Sequence, residues 1–268
     1  MSQLKKVLIY RRGALGDTLL TFPVAEIFKK LGYEVTFCGN LEYLQLAKLS
    51  GLTDQIISSE FFLSLPLEKF DKKVIISTEG NLNPFPKKRV WLPIYYLKTL
   101  GLPRNFSLTL PFPLFQRKKP DLAILHPGSG SPKKNPPFEL FERIENFLER
   151  LGFKVIYLAG EAEEWLLGLK PKLFYSTDIL EIAKFLKEAS LFVGNDSGIS
   201  HLASYLGLKT LVFFGPSDEI IFRPIGKRIH LIKRPLACRP CFPKVCKERP
   251  CLDPESLFKL FLRALRYL

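Results

Sequence analysis

The chain has 268 residues, of which 47% are hydrophobic and 25% are charged, a composition typical of a globular α/β protein with one large domain or two small ones. Its apolar stretches are short and interrupted by Lys, Glu or Pro, which excludes a membrane-spanning helix, and its first residues lack the features of a signal peptide, so the sequence predicts a cytoplasmic protein. The net charge of +14 favours an anionic partner, and scattered basic pairs without an RNA-binding signature favour an anionic substrate or membrane surface over nucleic acid.

The first part of the chain alternates strand-like and helix-like segments. Short apolar runs predict strands, and apolar residues at helical spacing predict amphipathic helices. Residues 84–93 interrupt this pattern with a basic, proline-rich loop. The predicted strands are 7–10, 34–38 and 74–77, and the predicted helices are 19–31 and 41–49.

A second strand–helix series follows a segment rich in proline and charge, 111–120, which we interpret as a linker. Such alternation predicts parallel sheets covered by helices. We therefore predict two Rossmann-like domains, 1–118 and 119–253, and a last helix, 254–268, that is expected to pack back on the first domain. The predicted strands of the second series are 122–125, 154–158, 191–194 and 210–213, and its helices are 137–151, 161–169, 178–189 and 198–206.

Three glycine-bearing loops each follow a predicted strand and precede a helix. They begin at Gly13, His126 and Gly194. A strand, a glycine turn and a helix start together direct backbone N–H groups and a positive helix end at anions, typically phosphates. Because ligands of parallel sheets lie beyond the carboxyl ends of the strands, two facing domains would bring these loops into one cleft. The loops lack the spacing of an ATPase P-loop or of a dinucleotide-binding motif.

Four cysteines follow one another near the end of the chain with C-x2-C-x4-C-x4-C spacing. In a cytosolic protein such a cluster favours metal binding or redox chemistry over structural disulfides. The second pair is not a C-x2-C pair, so free thiols or disulfides stay open as the alternative to a zinc or cluster site. The residues are Cys238, Cys241, Cys246 and Cys251.

Five segments, in order along nearly the whole chain, carry a family resemblance. The chain resembles the family 9 glycosyltransferases, the ADP-heptose:lipopolysaccharide heptosyltransferases. The Asp196 segment is the most specific of the five. The segments are 12–23 (RGALGDTLLTFP), 79–82 (EGNL), 126–130 (HPGSG) with Lys134, 193–203 (VGNDSGISHLA) and 214–218 (FGPSD).

This resemblance implies a GT-B fold, in which two Rossmann-like domains have parallel sheets facing across a central cleft and the second domain binds the donor. It further implies transfer of heptose from ADP-heptose to a hydroxyl of the lipopolysaccharide inner core, with inversion and without a metal or other cofactor. We expect a monomer at the inner face of the inner membrane, held there by its basic surface and its glycolipid acceptor.

The family's catalytic aspartate corresponds to Asp17. Inversion needs one base opposite the leaving group, within hydrogen-bond reach of the acceptor hydroxyl. An N-cap of the following helix is the alternative role for Asp17. Lys134 corresponds to the family's phosphate-contacting lysine, with Lys133 as the other candidate, and would offset the charge of the departing ADP.

Further residues are assigned to the two substrates. Asp196 has helix capping as its alternative role, and His201 has core packing. Glu161, Glu163 and Glu164 are all open as ligands of the donor ribose. The acceptor-binding candidates are Lys87, Lys88 and Arg89, for which a solvated basic loop is the alternative. The donor-binding candidates are Gly16, Ser129, Gly130, Lys133, Glu161, Asp196, Ser197, Gly198 and His201.

The chain departs from the family pattern in two places. Asn135 and two prolines follow Lys134, where the family often has Arg-Trp or His-Trp, and the stretch after Asn81 is shortened. Two other interpretations therefore stay open. One is a GT-B transferase or epimerase that uses a different nucleotide sugar, and the other is a noncatalytic module that binds nucleotide or glycan.

Overall fold

The computed structural model describes residues 4–113, 119–244 and 246–266. They form two compact units, Met1–Pro113 and Leu114–Leu268. Each unit has one parallel sheet with helices packed on it. The division falls five residues before the predicted one, inside the predicted linker, of which residues 114–118 lie outside the described part.

The first unit is a four-stranded parallel sheet in the order β3-β2-β1-β4. Val7, Leu8 and Ile9 of its central strand are completely buried, as expected for a parallel strand covered on both faces. The strands are β1 (Lys6–Arg11), β2 (Glu34–Gly39), β3 (Gln55–Ser58) and β4 (Lys72–Ile76), and the helices are α1 (Leu15–Leu19), α2 (Phe22–Lys30), α3 (Leu41–Leu49) and α4 (Leu92–Thr99).

The predicted helix 19–31 is in fact two helices, α1 and α2. Pro23 lies in the first turn of α2, where its missing N–H costs no hydrogen bond. Helix α1 begins at Leu15 after Ala14. Asp17 therefore lies inside the first turn of α1, and its interpretation as the N-cap of a later helix is wrong.

The second unit is a six-stranded parallel sheet in the order β10-β9-β8-β5-β6-β7. Read from the other edge, this is the Rossmann order, whose direction of winding reverses between β5 and β8. The strands are β5 (Leu122–His126), β6 (Lys154–Ala159), β7 (Leu173–Tyr175), β8 (Leu191–Asn195), β9 (Lys209–Phe213) and β10 (Ile229–Ile232), and the helices are α5 (Glu139–Arg150), α6 (Ile179–Glu188), α7 (Gly198–Tyr205) and α8 (Pro254–Leu265).

The C-terminal helix α8 packs in the core of the second unit. Asp253 caps it by accepting a hydrogen bond from the Ser256 N–H at 2.9 Å, and Pro254 occupies its first turn. Leu257 and Phe261 are completely buried in the same cluster as the central strands, which contributes about 1.5–3 kcal/mol for each side chain. The buried face of this helix therefore packs within the second unit, to which the helix belongs.

One predicted helix of the second unit is also different in the structure. Residues 161–169 were expected to be helical, but only Glu161–Leu166 form a short 3-10 segment, with non-helical dihedral angles at Glu163. No helix in the described ranges is long and apolar enough to cross a membrane.

Candidate active site

Three neighbouring strands of the second unit end in loops that carry predicted site residues. Strands β6, β5 and β8 are adjacent and parallel. The loops that begin at Gly160, Pro127 and Asp196 therefore lie side by side at the carboxyl ends of the strands. The reversal between β5 and β8 is the place where open parallel sheets bind their ligands. His126, at the end of β5, pairs in register with Gly194 of β8.

A cavity of about 500 Å³ lies beside these loops. Trp165 and Phe138 form its aromatic wall, with ring centroids 4.9 Å apart and an interplanar angle of 89°. Trp165 is 45% exposed, an uncommon exposure for so large an apolar side chain. A partly apolar cavity with a few polar groups suits a planar organic ligand. Its lining residues are Pro127, Ser129, Gly130, Pro132, Asn135, Pro136, Phe138, Ala162 and Trp165.

Lys134 and Asp196 form an ion pair between the β5 and β8 loops. Lys134 Nζ lies 3.2 Å from Asp196 Oδ2, and the two side chains are only 18% and 8% exposed. The neighbouring Lys133 is exposed and donates to the Pro243 carbonyl at 3.0 Å. Of the two predicted lysines, Lys134 is thus the one directed at the β8 loop.

Ser197, and not Asp196, is the N-cap of α7. Its Oγ accepts a hydrogen bond from the Ser200 N–H at 3.3 Å, so the capping interpretation of Asp196 is wrong. Gly198 opens the helix, where backbone N–H groups have no partner within the helix. The side chain of His201 is buried one turn further on.

The predicted donor-binding residue Ser129 organises its own loop. Its hydroxyl lies 2.6 Å from Asn135 Oδ1 and 2.9 Å from the Ser131 carbonyl. Asn195, completely buried at the end of β8, donates to the Pro127 carbonyl at 2.5 Å. Sequence reasoning missed these two asparagines, although a polar residue that ends a buried apolar strand could have signalled Asn195.

The three glutamates after β6 have different environments. Glu163 is buried, whereas Glu161 and Glu164 are exposed. Burial raises the pKa of Glu163, but the nearby His126 and the Gly160 N–H outweigh that effect and hold the pKa below its ordinary value. Glu163 is therefore turned into the protein, and Glu161 and Glu164 are left at the surface.

In the first unit, Asp17 forms an ion pair with Arg11. Arg11 Nη2 lies 3.0 Å from Asp17 Oδ1, and the arginine side chain is 9% exposed while the aspartate is 33% exposed. Gly13 allows this approach, because a Cβ there would lie 2.9 Å from Asp17 Cβ. One carboxylate oxygen is thus held by the protein, and the side chain still reaches solvent. Gly16 lies beside Asp17 in α1.

Tyr96 is completely buried, and its hydroxyl has no hydrogen-bond partner within the described residues. Burial raises the pKa of Tyr96, with opposing smaller effects from Arg11 and Asp17. The phenol therefore stays protonated close to the ion pair.

A second cavity, of about 550 Å³, opens at the carboxyl ends of β1, β2 and β3. Its walls are largely polar, and Arg12 brings a positive charge to it. Sequence reasoning missed this cavity, because it joins residues from three separate loops. The lining residues are Arg12, Gly13, Gly39, Asn40, Leu41, Ser58, Ser59 and Glu60.

The segment after β4 fixes the edge of the first sheet. Asn81 accepts from the Ile75 N–H at 2.8 Å and donates to the Lys73 carbonyl at 2.7 Å. The motif at 79–82 is therefore structural, and it leads into an exposed loop that carries the predicted acceptor ligands Lys87, Lys88 and Arg89.

The four cysteines near the end of the chain are unbonded. Cys251 is buried, Cys241 is half-buried, and Cys238 and Cys246 are exposed. Within the part of the chain that the structure describes, no three His, Cys, Asp or Glu side chains are grouped to hold a metal ion. The arrangement of the described side chains does not support a zinc or cluster site at these cysteines.

Solved heptosyltransferases share the fold of these parallel α/β units. ADP-heptose LPS heptosyltransferase II of E. coli matches with a TM-score of 0.74 and 13% identity over 98% of this chain and 99% of that one. E. coli heptosyltransferase WaaC with ADP matches with a TM-score of 0.70 and 15% identity over 97% of this chain and 99% of that one. The predicted α/β fold class is confirmed.

Sequence similarity identifies the family. The profile of glycosyltransferase family 9 (heptosyltransferase) matches residues 105–252. Lipooligosaccharide heptosyltransferase 2 of Campylobacter jejuni serotype O:2 is 30% identical over 183 residues, which are 61% of this chain and 56% of that protein. The chain thus spans little more than half the length of this relative. Lipopolysaccharide heptosyltransferase 1 of Pseudomonas aeruginosa is 35% identical over 80 residues, 30% of this chain and 22% of that protein. The chain belongs to glycosyltransferase family 9, which confirms the resemblance stated above.

Proposed function

We propose that the chain transfers a heptose from ADP-heptose to a hydroxyl of the lipopolysaccharide inner core, with inversion at the anomeric carbon. The observation that carries this proposal is the paired Lys134 and Asp196 at the reversal of the second sheet, beside an aromatic-walled cavity. The names of the relatives agree with it, since they are lipooligosaccharide and lipopolysaccharide heptosyltransferases.

The second unit binds the donor in this proposal. The base stacks in the cavity beside Trp165, and the exposed Glu161 or Glu164 meets the ribose. The diphosphate lies against Gly130, Lys134 and the start of α7. A lysine ammonium and backbone N–H groups can offset the charge that develops on the departing ADP without a metal ion. Asp196 then accepts hydrogen bonds from sugar hydroxyls.

The first unit supplies the base and binds the acceptor. Because Arg11 occupies Asp17 Oδ1, Oδ2 is the oxygen left to accept the proton of the acceptor hydroxyl. The acceptor oxygen attacks the anomeric carbon, the bond from that carbon to the phosphate oxygen breaks, and ADP leaves with the electron pair. A carboxylate is a much weaker base than an alkoxide, so proton transfer accompanies these steps.

Charge selects the acceptor in this proposal. Lys87, Lys88 and Arg89 are exposed on one loop, and the cavity beside Arg12 offers hydroxyl and amide groups for sugar. Together with the net charge of +14, these groups attract an anionic glycolipid at a negatively charged membrane surface. The protein then acts as a monomer at the inner face of the inner membrane.

Product formation from a panel of donors tests this function. Purified protein is incubated with a lipid A–core acceptor and, in turn, ADP-heptose, ADP-glucose, UDP-glucose and GDP-mannose. Mass spectrometry should show a heptosylated acceptor with ADP-heptose only. Transfer from a UDP or GDP sugar instead would contradict the donor assignment. A noncatalytic module would bind nucleotide and modify no acceptor.

A further inference from the structure

Beneath the donor loops, three buried side chains form a continuous polar connection that the mechanism above does not use. His126 Nε2 lies 3.5 Å from Glu163 Oε2, and His126 Nδ1 lies 3.4 Å from Ser197 Oγ. His126, Glu163 and Ser197 are 3%, 3% and 6% exposed.

The two ends of this connection belong to different loops. Glu163 Oε2 also accepts from the Gly160 N–H at 3.1 Å, which fixes the turn after β6. Ser197 Oγ accepts from the Ser200 N–H at 3.3 Å, which fixes the start of α7. His126 itself ends β5 and stacks on Phe192 of β8, with ring centroids 6.4 Å apart. One imidazole therefore joins the loops of three adjacent strands.

Charge determines the direction of the hydrogen bonds. Glu163 is ionised at neutral pH, since His126 and the Gly160 N–H hold its pKa low against the effect of burial. An ionised carboxylate only accepts hydrogen bonds, so Nε2 of His126 carries the proton. Nδ1 then faces the Ser197 hydroxyl, and both imidazole nitrogens are in use.

Gly128 leaves space for the Glu163 carboxylate. A Cβ at Gly128 would lie 1.7 Å from Glu163 Oε1. The loop after β5 thus rests directly on this carboxylate, and any side chain at position 128 would displace it. This close approach gives a second way to disturb the connection without changing His126.

We propose that His126 is a positioning residue, which through Glu163 and Ser197 holds the nucleoside-binding turn and the phosphate-binding helix start at the separation that a nucleoside diphosphate requires. The inference rests on the proposed donor site. A ligand that touches both loops gains from their fixed spacing, whereas a fragment that touches one loop does not. His126 thereby contributes to the affinity for the whole donor and not for its halves.

Binding of ADP, adenosine and inorganic pyrophosphate to His126 variants tests this proposal. His126→Asn keeps a polar group near the Nδ1 position and His126→Gln keeps one near Nε2, so each retains one of the two contacts, and His126→Leu retains neither. We expect ADP affinity to fall about 10-fold in the Asn and Gln variants, the effect of one lost buried hydrogen bond to a charged or polar partner. The Leu variant should lose more. Adenosine and pyrophosphate affinities should stay within about 2-fold of wild type.

Two further variants complete the design. Gly128→Ala should reproduce the selective loss of ADP affinity, and it keeps the test decisive if His126→Leu does not fold. His230→Gln makes the same chemical change on the edge strand β10, where the side chain is half-buried, and should bind all three ligands as wild type does.

Two results would overturn the positioning role: unchanged ADP affinity in both the Asn and Gln variants, or a parallel loss for adenosine and pyrophosphate. The comparison uses whichever nucleoside diphosphate binds wild type most tightly. A preference of the wild type for UDP would contradict the proposed ADP donor. Failure of the proposed function is thereby distinguishable from failure of the positioning role of His126.

Discussion

Both units carry polar groups at the carboxyl ends of their parallel strands, but these groups differ in exposure and in their partners. In the first unit, Asp17 is one-third exposed and is held at one oxygen by a buried arginine. In the second unit, His126, Glu163 and Ser197 are buried and connected to one another, and the buried Asn195 donates to the Pro127 carbonyl. The first arrangement leaves a carboxylate oxygen open for chemistry, and the second fixes the backbone of loops that would bind a ligand. The proposed mechanism thus assigns reactivity to the first unit and a fixed ligand-binding framework to the second.

The largest effect on the second unit is expected at Lys134. Lys134→Ala removes the cation proposed to offset the charge on departing ADP, and kcat should fall about 100- to 1,000-fold. Steady-state kinetics with ADP-heptose measure it. Lys133→Ala, at the exposed neighbour, should change kcat less than about 3-fold. Equal losses in the two variants would show that the buried ion pair does not distinguish these lysines.

A variant of Arg11 tests whether turnover needs the ion pair that orients the Asp17 carboxylate. Arg11→Met keeps most of the side-chain volume and removes the charge, so Asp17 loses its orientation. We expect kcat to fall about 10- to 100-fold, with donor affinity unchanged, because misplacement of a catalytic group by an ångström has effects of this size. Arg104→Met, at an exposed position of the same unit, is the matched control. Wild-type kcat in Arg11→Met would mean that the ion pair has no catalytic role.

A variant of Trp165 tests whether the cavity of the second unit binds the nucleotide base. Trp165→Ala should weaken ADP binding about 10-fold, the usual effect of losing one aromatic stacking partner of a base. Calorimetry on the purified variant measures this. Leu167→Ala, at a neighbouring residue that is 52% exposed, should bind ADP normally. If the tryptophan variant also binds ADP normally, the base lies elsewhere.

The smallest expected effect is a pH-dependent contribution of Glu163 to stability. Its folded-state pKa lies below the ordinary value of 4.5, so the contribution is complete above pH 4.5 and disappears as the pH falls through the lowered folded-state value. Glu163→Gln should therefore be destabilising at pH 7, by on the order of 1 kcal/mol, and less so at pH 3. Chemical unfolding at both pH values measures the difference in the free energy of unfolding between wild type and variant. The exposed Glu164→Gln serves as control. A difference in unfolding free energy that is larger at pH 3 than at pH 7 would contradict a lowered pKa for Glu163.

Sequence patterns predicted the central strands well, since runs such as 122–125 and 191–194 are apolar throughout, as buried parallel strands are. They missed β3, β7 and β10, which have only three or four residues each and lie at or near the edges of their sheets. Such short strands are defined by register with a neighbour, and no local periodicity reports that register.

The candidate site was predictable at the level of loops but not of contacts. Glycine turns after apolar strands located the loops at 13–17, 126–130 and 194–198. The inward turn of Glu163, the pairing of Arg11 with Asp17 and the cap at Ser197 instead depend on groups from other elements or on the backbone path of the turn. The alternative role of helix capping was wrong for Asp17 and Asp196, because an aspartate near a helix start is typical both of a cap and of a first-turn residue.

Asp17→Asn offers the most direct measurement of the central claim, which is that the first unit provides the base and the second unit grips the donor. Turnover of ADP-heptose and calorimetric affinity for ADP are measured on one preparation of this variant, with the exposed Asp121→Asn as control. The account predicts turnover lower by about 100- to 10,000-fold with ADP affinity as in wild type. Turnover within a few-fold of wild type, or ADP affinity lost in step with turnover, would contradict it.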